Sequence, residues 1–148
     1  MKSFFLSIVV SVALSFPAFS QNAEGDALIG VWEPSHGKGR VKIEKINDKY
    51  YGKVVWLKEP LDPKTGEKKL DVNNPDPALR SKPRLGLRIL KDFEYMGNNV
   101  WENGTIYDPE NGETYNCVIK LKDENTIDIR GYIGVSVFGR TDVWKKMK

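Results

Sequence analysis

Apolar and polar residues alternate along much of this chain, and the alternation predicts a succession of short strands. Val41 and Ile43 fall on one face of 41–46 while Lys42 and Glu44 fall on the other, the pattern of a half-buried strand. Leu28–Glu33 before it and Tyr50–Lys58 after it have the same character, and Asn47-Asp48 forms a hairpin turn between the second and third runs. Further strands are predicted over Leu85–Tyr95, Val100–Tyr107, Thr114–Lys122, Thr126–Tyr132 and Val137–Lys146. In the first of these, Leu87, Ile89, Phe93 and Tyr95 share the odd positions, with a bulge or turn at Lys91-Asp92. About eight strands and no useful amphipathic helix predict an all-β, antiparallel sandwich or barrel. Consecutive hairpins favour an up-and-down meander, which removes its exposed edges by closing.

Two turns carry the same chemistry. Asp62-Pro63-x-x-Gly66-Glu67 and Asp108-Pro109-x-x-Gly112-Glu113 each supply a side-chain acceptor, a preset φ and a residue that tolerates positive φ. Between them the strand pattern stops, and Pro, Asn, Asp and Arg collect from Asp71 to Leu90. Asp76-Pro77 reads as a cap and first helical position for one turn that Pro83 ends. A connection as long as Glu59–Leu85 is usually functional or disordered, and here it reads as a lid over one end of the fold. Its candidate ligand contacts are Asn74, Asp76, Arg80 and Arg84, joined by Tyr107, Arg130 and Tyr132 if these line the same end. Plainer tasks compete for the same residues: Asp76 as a cap, Asp108 as a hairpin fixer, Asp71 paired with an arginine, Arg80 paired with Asp76, and Arg88 on a strand face.

Met1–Ser20 has the layout of a secretory signal peptide. Lys2 precedes an uncharged apolar run from Phe4 to Phe16, Pro17 breaks it, and Ala18-Phe19-Ser20 offers small residues for cleavage before Gln21. The run is shorter than the roughly 20 residues of a spanning helix, and no cysteine stands near the cut. The expectation is a single domain over 21–148, without a transmembrane segment, in the periplasm or outside the cell. A net charge of +3 over 148 residues, with scattered lysines, makes nucleic acid a poor partner. Cys117 is the one cysteine and shares the apolar face of its strand, which predicts a buried, inert thiol. One histidine and no cysteine pair leave no common transition-metal ligand set, and 71–76 lacks the spacing of a helix-loop-helix calcium loop. No metal or cofactor is expected. A serine-type hydrolase would need His36 beside Ser81, Ser136 or Thr141, and the expectation is no catalytic residue.

The chain resembles the bacterial domain-of-unknown-function family 2147, a group of small exported proteins. The resemblance rests on Gly30-x-Trp32, Asn74-Pro75-Asp76-Pro77 with Leu79-Arg80, Gly86-Leu87, Gly104-x-Ile106-Tyr107-Asp108-Pro109 with Gly112 and Thr114-Tyr115, Arg130-Gly131-Tyr132-Ile133-Gly134, and Gly139-Arg140 with Trp144. It implies a compact lipocalin-like β-barrel and no assigned activity. The two ends are also similar to the lipocalin pattern in which an early Gly-x-Trp packs under an arginine of the last strand, parts that Trp32 and Arg140 would take. The functional expectation is an exported, non-enzymatic barrel that binds a small amphipathic or lipidic ligand at its mouth. The alternative is a filled barrel that serves as a structural or protein-interaction module of the cell envelope.

Overall fold

A two-residue turn sets the first hairpin: Asn47 and Asp48 both take positive φ (49° and 65°), the twist that suits a tight connection between antiparallel strands. The same local logic repeats around the molecule. The computed structural model describes residues 23–148, so the predicted signal peptide lies outside the described residues. Eight strands, β1 (Gly30–Glu33), β2 (Gly39–Ile46), β3 (Lys49–Leu57), β4 (Arg88–Tyr95), β5 (Val100–Asp108), β6 (Glu113–Asp123), β7 (Thr126–Tyr132) and β8 (Arg140–Lys146), pair in sequence order and close into a barrel. Closure comes from β1 against β8, with Trp32 opposite Lys146.

An up-and-down barrel sends alternate connections to opposite ends, and here the two ends differ. At one end lie the turns 47–48, 96–99 and 124–125, together with the helical turn at Asp26–Leu28. That turn seals the end as a floor. The Tyr50 hydroxyl donates to Asp26 Oδ1 (2.8 Å), Lys45 pairs with the same carboxyl (3.0 Å), and Lys146 Nζ donates to the Ala27 carbonyl (3.1 Å). Above it the interior is filled with aromatic side chains, Tyr50 edge-on to Trp101 at 6.3 Å and Tyr95 tilted on Trp101 at 4.9 Å. Gly104 lets the Phe93 ring lie directly on β5, since a Cβ at 104 would overlap that ring.

The strand boundaries follow the alternation closely, with two informative departures. Leu28 belongs to the helical turn, and Val137–Phe138 belongs to another, so β8 begins at Arg140. In β4 Asp92 has φ 62°, and this bulge switches the inward phase: Leu90 is buried in place of a strict odd series. The thiol of Cys117 is buried as expected, and burial pushes its pKa up to about 12.

Trp32 sits on the floor side of the core and is fully buried, its Nε1 donating to the Leu28 carbonyl at 2.9 Å. The cation over its ring is Lys146, 5.2 Å from the centroid, and not Arg140. The register is the reason. β8 runs from the mouth to the floor, so Arg140 lies six residues, or roughly 20 Å, away from the position opposite Trp32.

Candidate functional site

The connections at the other end, 34–38, 58–87, 109–112 and 133–139, are longer and form the mouth. They surround a cavity of about 1300 Å³ that opens to solvent. The barrel is therefore filled in its floor half and hollow in its mouth half. Val41, Val54, Ile89, Ile106, Ile129 and Trp144 give the cavity an apolar wall. Gly131 widens it, because this inward position pairs with Cys117 and Arg140 yet carries no side chain.

Polar groups are confined to the rim, and their pairing is uneven. Glu33 is taken by Arg40 (2.8 Å), Glu59 by Lys69 (3.4 Å) and Glu110 by Arg84 (2.8 Å). Asp142 accepts from Ser35 Oγ and, at 2.9 Å, from Trp144 Nε1, while Asp108 accepts from the Glu110 amide at 2.9 Å. Each of these carboxyls thus has a donor in contact. Lys38, Lys58 and Arg140, which also line the cavity, have no ion pair among the described residues. The Lys58 amide bonds to the Lys38 carbonyl at 2.9 Å, which holds the two lysines side by side. Arg140 stands across from them. Its alternation with Asp142 and Trp144, and its pairing with Gly131, place it on the inner face of β8.

The long connection is ordered by a buried polar knot. Asp71 is completely buried, its Oδ1 accepting from the Tyr107 hydroxyl at 2.7 Å and its Oδ2 from Asn74 Nδ2 at 2.8 Å. No arginine pairs with Asp71 among the described residues, and Arg80 Nε donates to the Asn74 carbonyl (2.7 Å) where a pair with Asp76 was expected. Asp76 does cap its turn, accepting from the Ala78 amide at 3.0 Å, and Arg88 lies 4.9 Å over the Tyr51 ring on the strand face. The connection then docks on the β5–β6 turn. Asn73 Nδ2 donates to the Pro109 and Glu110 carbonyls (3.2 and 2.9 Å), and Arg84 reaches Glu110 Oε1 and the Leu70 carbonyl. Gly112, with φ 75°, is required there because a Cβ would run into the Asn73 carbonyl oxygen.

All seven residues singled out from the sequence lie at the mouth end, but in different roles. Arg84, Tyr107 and Tyr132 border the cavity; Asn74, Asp76 and Arg80 bond within the connection and do not line it. Arg130 faces outward, paired with Val118, and donates to Thr141 Oγ1 (2.9 Å) and to the Val137 carbonyl (3.1 Å). Sequence reasoning passed over Lys38, Lys58 and the inner-face position of Arg140. The last was legible as period-two spacing with Trp144. His36 borders the cavity, but its Nδ1 accepts from the Lys38 amide (2.9 Å), and no hydroxyl is bonded to it among the described residues. No cluster of potential metal ligands occurs among those residues either.

A family model described as "Uncharacterized protein conserved in bacteria (DUF2147)" matches residues 30–146. The chain belongs to that family. Among solved structures it is similar to protein HP1028 from the human pathogen Helicobacter pylori, described as belonging to the lipocalin family. The TM-score is 0.70 at 23% identity, over 82% of this chain and 83% of that one. A search of curated proteins gives no match. At this identity the likeness establishes the lipocalin-like fold.

Burial, and then the bond to Asp71, push the Tyr107 phenol up to about 12. A phenol raised above its ordinary value of about 10 stabilises the fold fully below that pH and loses the contribution as pH climbs through the folded value. Thermal midpoints are expected to fall between about pH 10 and 12, and to fall less steeply in Tyr107→Phe, as read by circular dichroism melts.

Proposed function

We propose that this protein is an exported, non-enzymatic carrier of a small amphipathic molecule with an anionic head and an apolar body. The observation that carries the reading is the half-hollow barrel. Its cavity of about 1300 Å³ exceeds the roughly 300–1,000 Å³ of ordinary ligand sites and is apolar below the rim. The apolar body enters between Val54, Ile89 and Ile129, where burial removes it from water. The head stays at the rim beside Lys38, Lys58 and Arg140, the lining cations that no carboxyl neutralises. Arg140 offers a planar fork to a carboxylate or phosphate, and the lysines add charge. The layout Lys2, Phe4–Phe16, Ala18-Phe19-Ser20 supports export.

Native mass spectrometry of the protein purified from its own host tests this. The expected species begins at Gln21, comes from the periplasmic or extracellular fraction, and carries extra mass of one lipidic anion. Ile129→Trp, which fills the cavity, is expected to abolish the extra mass while the chain stays folded. Repeated recovery of bare protein, or retention of the same mass by Ile129→Trp, would overturn the reading.

A further inference from the structure

The β7–β8 connection ends in an unusual tip. Ile133, Val135, Val137 and Phe138 are 71%, 57%, 72% and 82% exposed, four large apolar side chains within six residues. The helical turn Ser136–Phe138 and the Arg130 bond to the Val137 carbonyl give the tip a fixed shape. It stands at the cavity edge, where Ile133 and Phe138 belong to the lining. Single exposed apolar residues are ordinary, but a projecting cluster marks a contact surface.

Charge identifies what it contacts. The mouth connections carry eight Lys or Arg against six Asp or Glu, and Arg140 begins β8 beside them. The floor segments 23–29, 47–48, 96–99 and 124–125 hold Glu24, Asp26, Asp48 and Glu124 and no Lys or Arg. The molecule therefore meets a negative surface mouth first. A protein partner would need about 800 Å² of matching surface, which one short projecting loop does not offer. Apolar side chains with flanking cations suit the headgroup boundary of an anionic bilayer, where shallow insertion and attraction to lipid phosphates act together.

We propose that the loop 133–138 docks the mouth of the barrel on an anionic phospholipid surface. Val135, Val137 and Phe138 enter the interface, and Lys38, Lys58 and Arg140 face the phosphates. The cavity then opens toward the membrane, so an amphiphile passes between bilayer and barrel without crossing water. The docking goes beyond the carrier reading and stands apart from it, since it needs no bound ligand.

Flotation with vesicles tests it, using the full chain from Gln21 and comparing phosphatidylcholine with an equal mixture of phosphatidylcholine and phosphatidylglycerol. The chain is expected to float with the mixed vesicles at low salt, less as salt rises, and not with phosphatidylcholine alone. Val135→Ser/Val137→Ser, which alters no cavity-lining side chain, is expected to bind the mixed vesicles about ten-fold more weakly. Its melting temperature and its uptake of a fluorescent apolar probe should not change. Three results would overturn the proposal: no flotation of the wild type with anionic vesicles, equal flotation of the variant, or a wild-type dimer that the variant converts to monomer.

Discussion

Replacing Trp32 by alanine is expected to lower stability by about 3–5 kcal/mol, the cost of truncating a large core aromatic. Three contributions are lost together. The indole is fully buried, its Nε1 holds the Leu28 carbonyl, and its face carries the Lys146 ammonium. Without it the helical turn Asp26–Leu28 loses its anchor on the barrel, and the floor loosens at the place where β1 and β8 meet. Urea unfolding with the linear extrapolation gives the number. Two companion variants separate the causes. Lys146→Ala is expected to lose about 0.5–2 kcal/mol, the range of a cation over an indole. Arg140→Ala should leave stability nearly unchanged, since Arg140 lies at the mouth with no ion pair among the described residues. A large loss from Arg140→Ala with none from Lys146→Ala would reverse the assignment of the cation over Trp32.

The second large effect is expected at Asp71. Asp71→Ala leaves the Tyr107 hydroxyl and the Asn74 amide without their acceptor at a site closed to water. At about 1–3 kcal/mol for each stranded donor, partly relieved by movement, the loss should come to about 2–4 kcal/mol. Its location matters as much as its size. The knot holds 58–87 against the β5–β6 turn, so the variant is expected to become sensitive to limited proteolysis within 58–87 while the barrel strands remain protected. Tyr107→Phe removes one of the two bonds and should give about half the loss. Uniform proteolysis of the Asp71→Ala chain would mean that the knot supports the whole barrel and not the connection alone.

The strands were legible because their signal is local. Val41/Ile43 against Lys42/Glu44 fixes a face by period two, and Asn47-Asp48 fixes a turn by its tolerance of positive φ. The two Asp-Pro-x-x-Gly turns behave alike for the same reason. Gly66 and Gly112 each bond back to the carbonyl of the leading Asp at 2.8 Å, and each Asp side chain accepts from the amide two residues on. Partner choice was less legible. Asp71 is 36 residues from Tyr107, and nothing in either neighbourhood says that a phenol and not a guanidinium meets it. Composition favoured arginine; the buried, half-apolar setting favours a neutral donor, which satisfies a carboxyl without bringing a second charge out of water. The Arg140 assignment failed through register. A motif at each end of the chain says that two strands meet, but the stagger of β8 against β1 decides which cation of β8 lies over Trp32. The rim cations were hard to read because their distinction is negative. It lies in the carboxyls around them being occupied by others, a property of the whole mouth.

β1 gives the barrel a seam. It meets β8 over two residue pairs, Trp32 with Lys146 and Glu33 with Lys145, whereas β2 and β3 share eight. Every other strand pair joins neighbours in the chain, and the hairpins among them can form early. The seam joins the two ends and bears the greatest loop-closure entropy for the fewest hydrogen bonds. It is therefore the last wall to zip during folding and the first to part when the barrel breathes. Trp32, seated in the seam, acts as the pin that holds a ring shut, and loading through the mouth leaves that pin undisturbed at the far end.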